Sequence, residues 1–132
     1  MRRVLWGLGH VWMLPFSAAG LLMTVIGGAH FRELSYDGAL HCVADPRGLV
    51  RRFFANNNRW AMTWGAVIVF RDDAIMSEPT IVRHEHIHVR QMMVLGALFP
   101  ALYFLASLWA KVRGGDFYFN NYFEERAYAG QG

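Results

Sequence analysis

The chain has 132 residues, enough for one domain with a modest core and too few for two. Apolar residues make up 55% of it, aromatics 15% and charged residues 17%, against about 25% charged in ordinary soluble domains; a domain this small leaves part of that apolar surface for lipid or a partner protein. The net charge of +3 comes from arginines and one lysine scattered among acidic groups, which excludes the basic stripe of a nucleic-acid binder, and the single Cys42 excludes an internal disulfide.

The first element is apolar. From Val4 to Ala29 the only ionisable side chain is His10. As one helix this run would be about 39 Å long, more than the roughly 30 Å of bilayer hydrocarbon. The expectation is a membrane-associated helix kinked at Pro15, with Trp6 and Trp12 near an interface. Arg2 and Arg3 favour a cytoplasmic N-terminus. Two other readings compete: a buried core helix, and a cleaved signal peptide, for which the basic start and the small-residue runs SAAG and GGA speak.

Shorter pieces follow. Tyr36-Asp37-Gly38 reads as a turn, Ala39 to Val43 as a short strand, and Asp45-Pro46-Arg47-Gly48 as a second turn. Leu49 to Ala55 reads as a short helix with Arg51 and Arg52 outward, and Asn56-Asn57-Asn58 as a loop. TWGAVIVF, Thr63 to Phe70, is the strongest strand, closed by Arg71-Asp72-Asp73.

Ser77-Glu78-Pro79-Thr80 has the makings of a helix start, with a serine or threonine to cap and a proline in the first turn. No breaker follows until Gly96. His84 and His88, four residues apart, share a face of that helix, while His86 is turned by about 200° from His84. His84-Glu85-His86-Ile87-His88 spells H-E-x-x-H, in which two imidazoles hold one zinc ion and the glutamate works on water. A strand would instead line up His84, His86 and His88 on one face, but the long helical continuation opposes it. A catalytic zinc needs a third protein ligand.

Met92 to Ala110 is a second uncharged run. It has the length of a membrane span. A straight span would carry the C-terminus about 30 Å away from His88. A site shared with the C-terminal segment therefore requires a bend, for which Gly96 and Pro100 serve. The expectation is one helix ending near Phe99 and another from Ala101 to Lys111, buried or dipping into a membrane from one side.

The last segment, FYFNNYFEERAYAG, has Asn121 placed to cap a helix beginning at Tyr122. Here the chain resembles the glutamate-type zincin metallopeptidases, in which a second helix supplies a carboxylate to the zinc. The resemblance rests on H-E-x-x-H-x-x-Q, ending at Gln91, and on N-x-F-E-x-x-A, met by Asn121, Phe123, Glu124 and Ala127. It covers Thr63 to Ala127. It implies His84, His88 and Glu124 as ligands of Zn2+, Glu85 as general base, and the Thr63–Phe70 strand as the edge along which a peptide is laid. Glu125 is the rival of Glu124, since neighbouring helix positions point about 100° apart; for both, the alternative is a solvated helix start. Tyr118, Tyr122, Tyr128 and His86 are candidates to steady an oxyanion, with His86 otherwise facing the surface or a partner. Asn120 and Asn121 read as caps.

The expected fold is thus α+β: a single domain, residues 1–132, with a hydrophobic, membrane-associated segment at 4–29 and a zincin-like core at 63–127 holding a short sheet, the H-E-x-x-H helix and a C-terminal glutamate helix. The expected function is a zinc-dependent metallopeptidase-like hydrolase at the inner membrane of a bacterium, acting on a peptide or protein. The competing expectation is a non-catalytic, zincin-like subunit of a larger membrane complex. A third, a membrane protein whose histidines titrate without metal, stands behind both.

Overall fold

The computed structural model describes residues 1–131. The protein is an α+β domain around a four-stranded mixed sheet. The elements in order are α1 (Arg2–Trp12), α2 (Leu14–Gly27), β1 (Ala29–Leu34), β2 (Leu40–Ala44), α3 (Leu49–Asn56), β3 (Ala61–Trp64), β4 (Val67–Phe70), α4 (Asp73–Met76), α5 (Pro79–Leu95), α6 (Phe99–Val112) and α7 (Tyr122–Gln131). The strand order is β1-β2-β4-β3. β2 and β4 run parallel, and each outer strand is antiparallel to its neighbour.

β4 is buried along its whole length, as a strand covered on both faces must be. Alternation sends Val67 and Val69 to one side, with Cys42, Val50 and Phe54. Ile68 and Phe70 go to the other, with Val43, Val89, Met92, Phe99 and Phe123. The second layer carries α5 and α7, so the putting together of the histidine helix and the glutamate helix follows from which face of β4 they cover.

The expected Thr63–Phe70 strand is two strands. Gly65 has φ 60, and it opens a two-residue hairpin pairing Trp64 with Val67, the position at which such turns use a left-handed residue. Only Ala61–Trp64 is an edge; Val67–Phe70 is central. The first apolar run also divides. It breaks at Met13, not at Pro15, and α1 and α2 meet at a 62° bend. Met13 is fully buried in the core, and Pro15 sits in the first turn of α2, where its missing N–H costs nothing. Strand β1 and the short α4, capped by Asp72 accepting from Ile75 N at 2.9 Å, lack a clear sequence signal.

The turn at Tyr36-Asp37-Gly38, the β2 strand and α3 stand close to their expected limits. α5 begins at Pro79, but neither Ser77 nor Thr80 caps it; Glu78 holds the cap position with no side-chain bond. Among the described residues, the helical stretch Pro79–Val112 has the length and mean hydropathy, 1.8, of a membrane span, with 22% of its apolar window buried. It is not straight. His84 and Tyr103 would lie about 28 Å apart on one straight helix, yet both bond the carboxylate of Glu124. The turn falls at Gly96, whose φ is 53 and where any Cβ would lie 1.9 Å from the Trp12 indole nitrogen. A 3₁₀ turn, Gly96–Leu98, then leads into α6.

Candidate metal centre

α5 presents His84 and His88 one turn apart, and α7 brings Glu124 against them. Nε2 of His84 lies 3.1 Å from Glu124 Oε2, Nε2 of His88 lies 3.4 Å from the same oxygen, and the two Nε2 atoms are 3.2 Å apart. Bonds of about 2.0–2.2 Å in a tetrahedron place ligand atoms roughly 3.3–3.6 Å from each other. The three edges fall within a few tenths of an ångström of that range. All three residues are buried, and together they can hold a metal ion. Glu125, the rival, is exposed.

The carboxylate is placed by α7's own start and by α6. Asn121 caps α7, its Oδ1 accepting from Phe123 N at 2.8 Å. The same side chain donates to Tyr103 O and Ser107 Oγ, which clamps α7 onto α6. Tyr103 donates its hydroxyl to Glu124 Oε1 at 2.7 Å. Gln91 bonds His88 Nδ1 at 2.8 Å and donates to Phe123 O, so it orients one imidazole and ties α5 to α7. Such outer hydrogen bonds fix which nitrogen faces a metal. His84 Nδ1 has no such partner; the Tyr128 ring packs on that imidazole at 4.5 Å instead.

The electrostatics match a cation site. Burial raises the Glu124 carboxyl, but hydrogen bonds from His84, His88 and Tyr103 outweigh it and hold the group well below the usual carboxylate range. Burial disfavours the charged form of His88, yet the hydrogen bond to Glu124 and the charges of Glu85 and Glu124 push it up to about 9. Two buried carboxylates beside two imidazoles call for positive charge, which a proton or a metal ion supplies. Burial, then the charge of Glu124, push the Tyr103 hydroxyl up, keeping it a donor.

Glu85 is also buried. Its Oε2 accepts from Thr63 Oγ1 at 2.6 Å, so the edge strand β3 positions this carboxylate. Of the oxyanion candidates, Tyr122 is exposed and bonded to Arg126. Tyr118 lines the groove with Glu85, under the guanidinium of Arg59, 3.6 Å from its ring.

His86 is neither surface nor partner-facing. It is 3% exposed and lies on the sheet side of α5. Its Nδ1 bonds Asp37 Oδ2, and its Nε2 lies 2.8 Å from Nε2 of His41, whose Nδ1 bonds Glu33 at 3.0 Å. Tyr36 stacks on the His86 ring. The reason is the 200° offset already implied by the helix: one face of α5 meets α7, and the other meets the β1–β2 turn. Tyr103, Thr63 and Arg59 also border the site, beyond the residues that the motifs mark. Thr63 was within reach of sequence reasoning as an inward residue of the expected edge strand; Tyr103 had no signal beyond being a polar group in an apolar run.

Comparison with family models, with curated proteins and with solved structures finds no match for this chain. What the structure itself shows is a buried His84, His88 and Glu124 group that can hold a metal ion.

Proposed function

We propose that the protein is a membrane-associated, zinc-dependent metallopeptidase-like hydrolase. The observation that carries this reading is the meeting of His84, His88 and Glu124 at tetrahedral spacing beside the tethered carboxylate of Glu85. Two imidazoles and one carboxylate form a donor set that suits catalytic zinc with a fourth position open. A zinc ion held by His84, His88 and Glu124 would supply polarisation of a carbonyl oxygen and a water made nucleophilic near neutral pH.

The chain's own groups do the rest. β3 offers an edge for an extended peptide to pair with. Glu85 accepts the proton of the attacking water as its oxygen bonds to the carbonyl carbon. It then passes that proton to the departing amine nitrogen as the C–N bond breaks. Thr63 holds the Glu85 carboxylate, and Tyr118, which lines the same cavity, would donate to the developing oxyanion.

Membrane association is supported by an inverted helix. The packed face of α2 is Gly20, Thr24 and Gly27, while Leu14, Leu21, Leu22, Val25 and Ile26 are exposed. α6 likewise exposes Phe104, Leu105, Trp109 and Val112. Exposed apolar surface on that scale marks a lipid or protein contact. Arg2 and Arg3 place the N-terminus on the cytoplasmic side of a bacterial inner membrane in this reading. The same surface favours the second reading, a zincin-like subunit that binds metal but only scaffolds a membrane complex.

Glu85→Gln separates the two. For a hydrolase, peptide cleavage by the zinc-loaded protein falls by three orders of magnitude or more, while zinc stoichiometry and melting temperature hold. A variant that keeps full biological function overturns the catalytic reading in favour of the scaffold.

A further inference from the structure

Two cavities open on the metal centre. One, about 460 Å³, has an apolar wall of Phe16, Phe53, Met62, Trp64, Phe99 and Pro100. The other, about 450 Å³, has Asn58, Glu78 and Thr80 on its wall. Arg59, Ala61, Glu85 and Tyr118 border both. They are therefore two arms of one groove, and the arms meet at the general base.

The arms differ in what they can hold. In the first, the only charged groups are Arg59 and the site's own Glu85, His88 and Glu124. A charged side chain laid against the Phe16–Phe53–Trp64 wall, away from those groups, would shed water without gaining a partner. A large apolar one gains burial against four aromatic rings. The second arm mixes rings with an amide, a carboxylate and a hydroxyl, and it tolerates hydrated residues.

The apolar arm is walled by the elements that carry the exposed apolar faces. Phe16 belongs to α2 and Pro100 to α6, and Phe53 and Trp64 are themselves 49% and 39% exposed. Resting on the metallopeptidase reading, we propose that the groove takes an extended peptide at the boundary between an apolar, lipid-contacting stretch and a polar one. The apolar side chain occupies the Phe16–Phe53–Trp64 arm, the polar stretch leaves along Asn58 and Thr80, and the scissile bond lies between them. β3, an edge strand with no neighbouring strand on its outer side among the described residues, supplies the main-chain pairing, which is indifferent to sequence; the walls supply the choice.

The test uses the full zinc-loaded chain in vesicles of phosphatidylethanolamine and phosphatidylglycerol. The probes are quenched-fluorescent peptides: a Leu/Phe block joined to a Ser/Asn block in both orders, an all-Ser/Asn peptide and an all-Leu/Phe peptide. Cleavage is followed with the wild type, and binding with Glu85→Gln. The expected result is that one block order binds and is cut at the junction, with kcat/KM at least tenfold above either uniform peptide. Phe53→Asp, at a half-exposed position, removes that preference, and Trp64→Asp does so from another wall. Equal handling of the all-polar peptide, or an intact preference in both variants, overturns the assignment. Preferential binding of a block peptide with no cleavage by the wild type keeps the groove assignment and sinks the peptidase reading. Absence of any binding preference sinks the groove assignment alone if polar peptides are still cut.

Discussion

Helices α5 and α2 are built inside out with respect to each other. α5 buries His84, Glu85, His86 and His88 and exposes Arg90 and Val94. α2 buries two glycines and a threonine and leaves leucine, valine and isoleucine outside. An ordinary surface helix turns its apolar stripe inward, and neither does so fully. For α5 the reason lies within the molecule: nearly every buried polar atom has a partner, Glu124 and Gln91 on one face, Asp37 and His41 on the other. For α2 no such reason is found, because among the described residues nothing covers Val25 or Ile26, 80% and 67% exposed. Polar burial here is explained by pairing, and the apolar exposure of α2 is what the proposed membrane association would account for.

The largest test of that contrast removes a partner from α5. Asp37→Ala leaves His86 buried with an unpaired nitrogen and should cost about 3–5 kcal/mol of stability, the usual loss when one member of a buried pair is deleted; denaturant unfolding measures it. A loss under about 1 kcal/mol would break the pairing argument for that face. Next, Glu124→Gln keeps the shape of the ligand and removes its charge. Metal affinity, by competition with a chelator, should fall by about 100-fold or more, since even outer-shell changes cost 10- to 100-fold.

Acidity gives a smaller, directional effect in the metal-free protein. His88 is raised from 6.5 to about 9, so its contribution is complete below about pH 6.5 and is lost as the pH climbs toward 9. Glu124 is lowered from 4.5, so its contribution is present above about 4.5 and is lost on further acidification. The melting temperature should therefore be highest between these limits and fall by several degrees by pH 9. Bound metal displaces the His88 proton, so affinity should rise up to about tenfold per pH unit over pH 7–9. The smallest effect belongs to α2. Val25→Asp should change stability by no more than about 0.5 kcal/mol while lowering partition of the protein onto lipid vesicles; strong destabilisation would instead put that face in a core.

What the sequence disclosed follows the same division. The ligand spacing on α5, the Asn121 cap and the necessity of a bend near Gly96 are local or geometric consequences of the chain, and the structure has all three. Glu124 over Glu125 needed the packing of α7, because a 100° difference in direction has meaning only once a neighbour is fixed. The inward place of His86 is not legible locally, because its partners, Asp37 and His41, lie more than forty residues upstream and meet it through the β1–β2 hairpin. The hairpin inside TWGAVIVF was hidden by Gly65, a residue that also fits a continuous strand. The break at Met13 was hidden behind Pro15, the more obvious breaker.

Phe16 stands on the helix whose other face carries Leu21, Leu22, Val25 and Ile26. Ser17 Oγ, one residue on, accepts from Ala66 N at 2.9 Å and fastens that helix to the β3–β4 hairpin. Any displacement of α2 would therefore move the Phe16 wall of the groove and the β3–β4 hairpin together.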